Sequence, residues 1–197
     1  MTDDQEIEDR LRAATIGTPK VLNGPIFLKS YNPEWPMLYD QLERRIRTAL
    51  GSRALLVEHV GSTSVPGLSA KPIIDIVMAV ADSNDEPSYV PSMASEGYKL
   101  TAREPDWFAH RFFKSLAPEA NIHVFTSGCE EIARMIQFRD RLRANAADRA
   151  RYEQTKKDLA CRTWKYVQMY ADAKSEIVRE ILARSAAADS GSPPCGP

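Results

Sequence analysis

The chain is poor in cysteine and histidine and has no long apolar run, and each shortage removes a class of protein. No stretch approaches the roughly 18 consecutive apolar residues that a spanning helix needs, and the acidic opening Met1-Thr2-Asp3-Asp4-Gln5-Glu6 lacks the apolar centre of a secretory signal. A cytoplasmic protein with no membrane partner is expected. Cys129, Cys161 and Cys195 stand far apart, with no C-x-x-C pair and no histidine at ligand spacing, so they read as reduced thiols. An excess of one charge is also missing: 26 basic residues balance 27 acidic ones. That balance argues against a protein that coats nucleic acid. No internal repeat is evident, and 197 residues fill one core but hardly two.

What is present is concentrated between Val57 and Val80, in V-E-H-V-G-S-T-S-V-P-G-L-S-A-K-P-I-I-D-I-V-M-A-V. Two apolar runs flank a turn rich in glycine and hydroxyls, which reads as strand, phosphate-sized loop, strand. Gly61 and Gly67 permit positive φ or close approach of a ligand, while Ser62, Thr63 and Ser64 offer donors to an anion. Lys71 adds a positive charge. Asp75 sits between Ile74 and Ile76, so alternation sends its carboxylate to the face opposite theirs, where it needs a counter-charge, a metal or water. The plainer alternative is a hairpin whose serines and glycines merely turn the chain. Glu58 and His59 precede the loop on opposite faces, so one of them looks into the site. His59 is a candidate base or anion contact, or else a structural imidazole.

The stretch H-V-G-S-T-S-V-P-G-L-S-A-K-P-I-I-D-I resembles the signature of the GrpB family. Tyr31-Asn32-Pro33-Glu34-Trp35, Asn121-Ile122-His123-Val124, Phe138-Arg139-Asp140-Arg141-Leu142-Arg143, Tyr152 with Lys156, and Tyr170 with Lys174 look like further landmarks, so the likeness covers about residues 25 to 184. Family members resemble the nucleotidyltransferase superfamily typified by DNA polymerase β and the small aminoglycoside nucleotidyltransferases. The resemblance implies an α/β (α+β) fold, a mixed sheet flanked by helices with a helical C-terminal third. It also implies phosphate held at Gly61-Ser62, metal-binding acids on the next strand, and closing helices that bring Tyr152, Lys156, Tyr170 and Lys174 to base and phosphate. The paired acids of that superfamily are incomplete here, since Ile73 and Val77 stand two places either side of Asp75. His123 lies where a third acid is usual. An imidazole suits a transition metal better than magnesium, so the metal expected at Asp75 and His123 is magnesium or manganese, or a softer ion if His123 is a ligand.

Elsewhere the chain is ordinary. Residues 1 to 24 read as a loosely packed extension with a short helix around Ile7 and Leu11, and Ile26-Phe27-Leu28 as a strand. A helix over about 33 to 50 carries one apolar stripe, Trp35, Leu38, Leu42, Ile46 and Leu50. Strands are expected near 98–100, 111–114 and 121–125, the last with Asn121, His123 and Phe125 on one face. Arg103 and Arg111 are candidate anion forks. Helices are expected over 130–145, 146–169 and 170–183, and the small, Pro- and Gly-rich segment 185–197 reads as a disordered tail.

Three functions stay open. The first is transfer of a nucleoside monophosphate from a nucleoside triphosphate co-substrate to a small acceptor, with Asp75 and His123 at the centre. The second is metal-light acid–base chemistry on a small metabolite, such as cyclisation, condensation or elimination in a biosynthetic pathway. The third is nucleotide binding without turnover.

Overall fold

A computed structural model describes residues 3–190, with the side chains of 5–185. Five strands form a single sheet in the order β1-β2-β5-β4-β3: β1 (Leu56–Val60), β2 (Ile74–Val80), β3 (Lys99–Glu104), β4 (His110–Leu116) and β5 (Glu119–Thr126). β1 lies antiparallel to β2, β2 parallel to β5, and β5–β4–β3 run antiparallel, so the sheet is mixed. Helices α1 (Asp3–Ala14), α2 (Trp35–Leu50) and α3 (Val90–Ser95) precede β3, and α4 (Glu130–Ala144), α5 (Ala146–Ala160), α6 (Val167–Asp172) and α7 (Ser175–Ser190) follow β5.

Alternation along β2 divides the core between the two faces of the sheet. Ile74, Ile76, Met78 and Val80 pack with Ile122 and Val124 of β5 against Leu42, Ile46 and Leu50 of α2 and Met93 of α3. Each such side chain, fully buried, contributes about 1.5–3 kcal/mol. Val77 and Ala79 point the other way, to Val60, Phe125 and Ile132 of α4. The apolar patch of that second face is smaller because Asp75, Asn121 and His123 share it. There the sheet presents chemistry in place of packing.

The C-terminal third is helical, with its first break at Asn145 as expected and its next break earlier than expected. Asn145 ends α4 with extended backbone and caps α5, its Oδ1 accepting from the Asp148 N–H at 2.9 Å. α5 stops at Ala160 instead of running to 169, because Trp164 pairs with Gly24 and donates its indole N–H to the Leu159 carbonyl. Gly24 and Lys29 make isolated bridges, to Trp164 and Ala70, so the expected strand at Ile26-Phe27-Leu28 is only an extended connection. Among the described residues of the first 24, α1 and Thr15 are anchored to the rest of the fold and are not loosely packed. α1 buries Glu8 against Lys165 and Tyr166, and Thr15 bridges Ala102 along the border of β3. At the other end, α7 carries helix on to Ser190, past the expected boundary at Ser185, and residues 191–197 of that segment lie outside the described part. No helix among the described residues is long and apolar enough to cross a membrane.

Candidate functional site

The loop between β1 and β2 is one 3-10 turn, Ser62–Ser64, entered through Gly61 at φ 68° and ψ −173°. A Cβ on Gly61 would stand 2.4 Å from Asp75 Oδ2, so the carboxylate lies directly against this backbone and glycine is sterically required. Asp75 is aligned with Asn121 on the parallel neighbour, and the Asn121 amide donates to Asp75 Oδ1 at 2.8 Å. Around this acid stand three ammonium groups, from Lys71 on the approach to β2, Lys156 on α5 and Lys174 between α6 and α7. Lys156 is 2% exposed and donates to Ser62 Oγ at 2.9 Å and to the Ser69 carbonyl. Lys114 shares this face through its register with Asn121 and adds to the field at Lys71.

Burial raises the Asp75 carboxyl above the usual range, opposed by the Asn121 hydrogen bond and the lysines. Lys156 is driven down to about 7, first by burial and then by the charge of Lys174. Burial also lowers Lys71 and Lys174. One carboxylate thus faces several cations that are costly to keep charged, and an incoming anion would relieve that cost.

The two Tyr–Lys pairs, four residues apart, do converge on this cleft. Lys156 Nζ lies 5.1 Å from the Tyr152 ring centre and Lys174 Nζ 4.5 Å from that of Tyr170, with Lys71 at 5.9 Å from the same ring. Both rings are buried and already covered by ammonium groups, so they hold lysines and leave no open face for a base. The Tyr170 hydroxyl is buried without a hydrogen-bond partner among the described residues.

Several candidate residues are placed elsewhere. Thr63 and Ser64 turn inward, Thr63 Oγ1 to His59 Nε2 at 3.0 Å and Ser64 Oγ to the Gly61 carbonyl at 2.6 Å, which leaves Ser62 as the hydroxyl facing the cleft. His59 is aligned with Ile76 on the α2 side of the sheet and stacks on Tyr39 at 4.8 Å, so the one of the pair that shares Asp75's face is Glu58. Burial, with Arg143 and Arg139 nearby, lowers His59 to about 4. Arg111 and Arg103 sit on that opposite face as well, both bound to Glu86 at 2.6 Å. Their forks are used up in structure.

His123 shares the Asp75 face but is aligned with Val77, a diagonal placement that separates such Cβ atoms by about 7–8 Å. Its Nδ1 meets His110 Nε2 at 3.1 Å, and His110 Nδ1 meets Glu104 Oε2 at 2.7 Å. A carboxylate can only accept, so His110 carries its proton on Nδ1. In the neutral ring Nε2 then accepts from His123 Nδ1–H, and His123 Nε2 keeps its lone pair. Burial, reinforced by His110, lowers His123 to about 3 and keeps it neutral. The sequence reading missed Glu104 and His110 because the chain of contacts crosses three strands. It also missed that Asn121, placed correctly on the His123 face, is the direct partner of Asp75.

The donor set does not fit a resident divalent metal. Asp75 offers one carboxylate with an oxygen already engaged, lysines surround it, and His123 Nδ1 is committed to His110. Among the described residues no three His, Cys, Asp or Glu side chains converge as metal ligands.

A family model described as GrpB protein matches residues 25–184. A UPF0157 protein of Halalkalibacterium halodurans is 54% identical over 178 residues, covering 90% of this chain and 91% of the relative. The dephospho-CoA kinase of Mycolicibacterium paratuberculosis is 28% identical over 199 residues, covering 88% of this chain but 49% of that protein, so this chain spans about half of it. The crystal structure of conserved protein GrpB from Enterococcus faecalis superposes with a TM-score of 0.68 at 27% identity, over 81% of this chain and 99% of that one.

Proposed function

Because the chain belongs to the GrpB family, we propose that its Asp75 cleft receives the phosphate chain of a nucleotide-class small molecule and passes a nucleoside monophosphate to a small acceptor. The observation that carries this reading is the gathering of Lys71, Lys156 and Lys174 around a single carboxylate, which leaves the cleft short of negative charge. Asp75 takes the proton of the acceptor hydroxyl, whose oxygen forms the new bond to the α-phosphorus. Pyrophosphate leaves with the bonding electrons, and the lysines neutralise the charge that develops on it. Lys156 fixes the Ser62 hydroxyl at the edge of the phosphate path. Any magnesium arrives with the triphosphate and is not held by a protein cage. Likeness to the nucleotidyltransferase superfamily in the turn and in the placement of Asp75 supports the assignment. So does the name dephospho-CoA kinase on a relative, as a pointer to phosphate-bearing ligands.

The test is pyrophosphate release from nucleoside triphosphates in the presence of candidate acceptors, alongside thermal-shift titration. Transfer requires turnover that falls at least a hundredfold in Asp75→Asn, with stabilisation by the nucleoside triphosphate reduced in Lys174→Ala. Absence of stabilisation by every nucleotide would remove the reading. Stabilisation without turnover would make the protein a nucleotide sensor.

One observation favours a second reading. When His110 is neutral, the Glu104–His110–His123 chain leaves a lone pair on His123 Nε2 that can accept a proton from a small metabolite. That reading expects no nucleotide consumption and loss of activity in both His123→Ala and His110→Ala.

A further inference from the structure

Ser64 of the Ser62–Ser64 turn borders a second cavity, at the free edge of β1. It has a volume of about 610 Å³, within the range that holds a small organic ligand, and it is lined by Tyr31, Tyr39, His59, Arg143 and Arg149, together with Arg139 and the Glu58 carboxylate that Arg139 pairs with. The three arginines have different standing. Arg139 is 8% exposed and fully engaged, binding Glu58 Oε2 at 2.7 Å, the His59 carbonyl at 2.9 Å and Asp140 at 2.8 Å. It is a fixed floor whose charge is neutralised. Arg143 donates through Nε to the Ser64 carbonyl at 3.0 Å, and its nearest carboxylate, Asp140, is 3.8 Å away from Nη1 and already paired with Arg139. Arg149 uses Nη1 on the Leu142 and Arg143 carbonyls, at 2.9 and 3.2 Å, and has no carboxylate partner among the described residues. Each leaves guanidinium N–H groups unspent beside the same cavity.

Two tyrosines also line the cavity. Tyr39 is locked against His59, and Tyr31 stands edge-on to Trp35 at 5.4 Å, so these rings are held rigid by packing. Rigid aromatic rings and two guanidinium groups with N–H donors to spare for a tetrahedral oxyanion line one cavity and define what fits.

We infer that this cavity is a binding site for a phosphate monoester carrying a planar organic group, held by Arg143 and Arg149 and separate from the Asp75 cleft. The two sites share one turn. Ser62 belongs to the cleft through Lys156, while Ser64 belongs to the cavity through Arg143. Occupation of one therefore bears on the backbone that lines the other. The inference does not depend on the chemistry assigned to Asp75.

The experiment titrates the full chain with inorganic phosphate and with adenosine monophosphate, followed by calorimetry, in the wild type, Lys174→Ala, Arg143→Gln and Arg149→Gln. In Lys174→Ala, where the cleft is impaired, adenosine monophosphate binding persists and is tighter than that of phosphate. Arg143→Gln and Arg149→Gln each weaken it at least tenfold. Because Arg149 also caps carbonyls of α4, thermal unfolding of each variant is recorded, and Arg143→Gln together with Tyr31→Leu keeps the test valid should Arg149→Gln fail to fold. Tyr31→Leu weakens adenosine monophosphate but not phosphate. Binding that disappears in Lys174→Ala and is unchanged in Arg143→Gln assigns all of it to the cleft and overturns the inference. Binding lost only in the arginine variants sustains it and counts against the proposed role of the cleft.

Discussion

Of the described glycines, Gly61 has the closest approach by a side chain, that of Asp75, and their contact can be measured. Gly61→Ala forces a side chain into a positive-φ conformation and onto a carboxylate oxygen, and is expected to cost about 2–4 kcal/mol. In the Gly61→Ala/Asp75→Ala double variant the clash with the carboxylate is removed, while the contact with the Asp75 Cβ at 2.8 Å and the backbone strain stay, so urea unfolding should show the two changes costing less together than in sum. Equal sums would mean that the carboxylate does not rest on Gly61. Lys156 gives a second residue-scale prediction. Its ammonium is lowered to about 7 from an ordinary 10.5, so in that interval the unfolded chain binds the proton and the folded one does not. Stability from this group therefore rises with pH from about 7 to 10.5. A bound phosphate restores the charge, so binding at pH 8 must take up protons, visible as a calorimetric heat that changes with buffer ionisation enthalpy. Affinity should fall roughly tenfold per pH unit above 7, and Lys156→Met should abolish both the uptake and the slope.

At the scale of elements, α4, α5 and α7 are tied by one acid. Asp148, in the first turn of α5, accepts from Arg141 Nε at 2.7 Å and from Arg184 at 2.8 Å, and it is buried. Burial alone would raise this carboxyl, but the two guanidinium groups outweigh it and hold the carboxyl below its usual range. Asp148→Ala removes charge-assisted hydrogen bonds from two partly exposed cations and should cost about 1.5–3 kcal/mol in denaturant unfolding, against under about 1 kcal/mol for the exposed Arg151–Glu180 pair. What the sequence made legible at this scale was local. The stripe of α2, the strand–turn–strand around Gly61 and the face shared by Asn121 and His123 all follow from periods of 3.6 and 2. Spacing also puts Tyr152 and Lys156 on one face of α5, whereas Lys174 falls beyond the end of the helix that carries Tyr170. It could not bring the two pairs to one acid, because that depends on how α5 and α6 pack, nor place His59 behind the sheet, because alternation says that Glu58 and His59 part company but not which of them goes where. Arg111 looked free for the same reason. Its partner Glu86 lies 25 positions away, in a loop without periodicity.

For the whole molecule, the acid limb of stability follows from Glu8 and Glu86, each held near 2 by neighbouring cations, chiefly Lys165 and Arg103 respectively, together with Asp148. Carboxyls lowered in the fold stabilise it above their unfolded values and lose that contribution as pH falls through the folded ones. Circular dichroism should show the melting temperature dropping between about pH 4.5 and 2, with Glu86→Gln starting lower and changing less. Deleting residues 1–16 removes the α1 contacts to Lys165 and Tyr166. It should lower the melting temperature by roughly 4–8 °C, about 2 kcal/mol for a chain of this size, and leave phosphate affinity intact. A loss of affinity in that variant would mean that α1 supports the cleft.

The two border strands of the sheet carry a last consequence. Arg139 occupies the His59 carbonyl on the outer side of β1, and Ile16 donates its N–H to the Thr101 carbonyl on the outer side of β3. Neither rim is left as a bare template on which a strand of another molecule can zip up, so this sheet is protected against growing into fibrils through its margins.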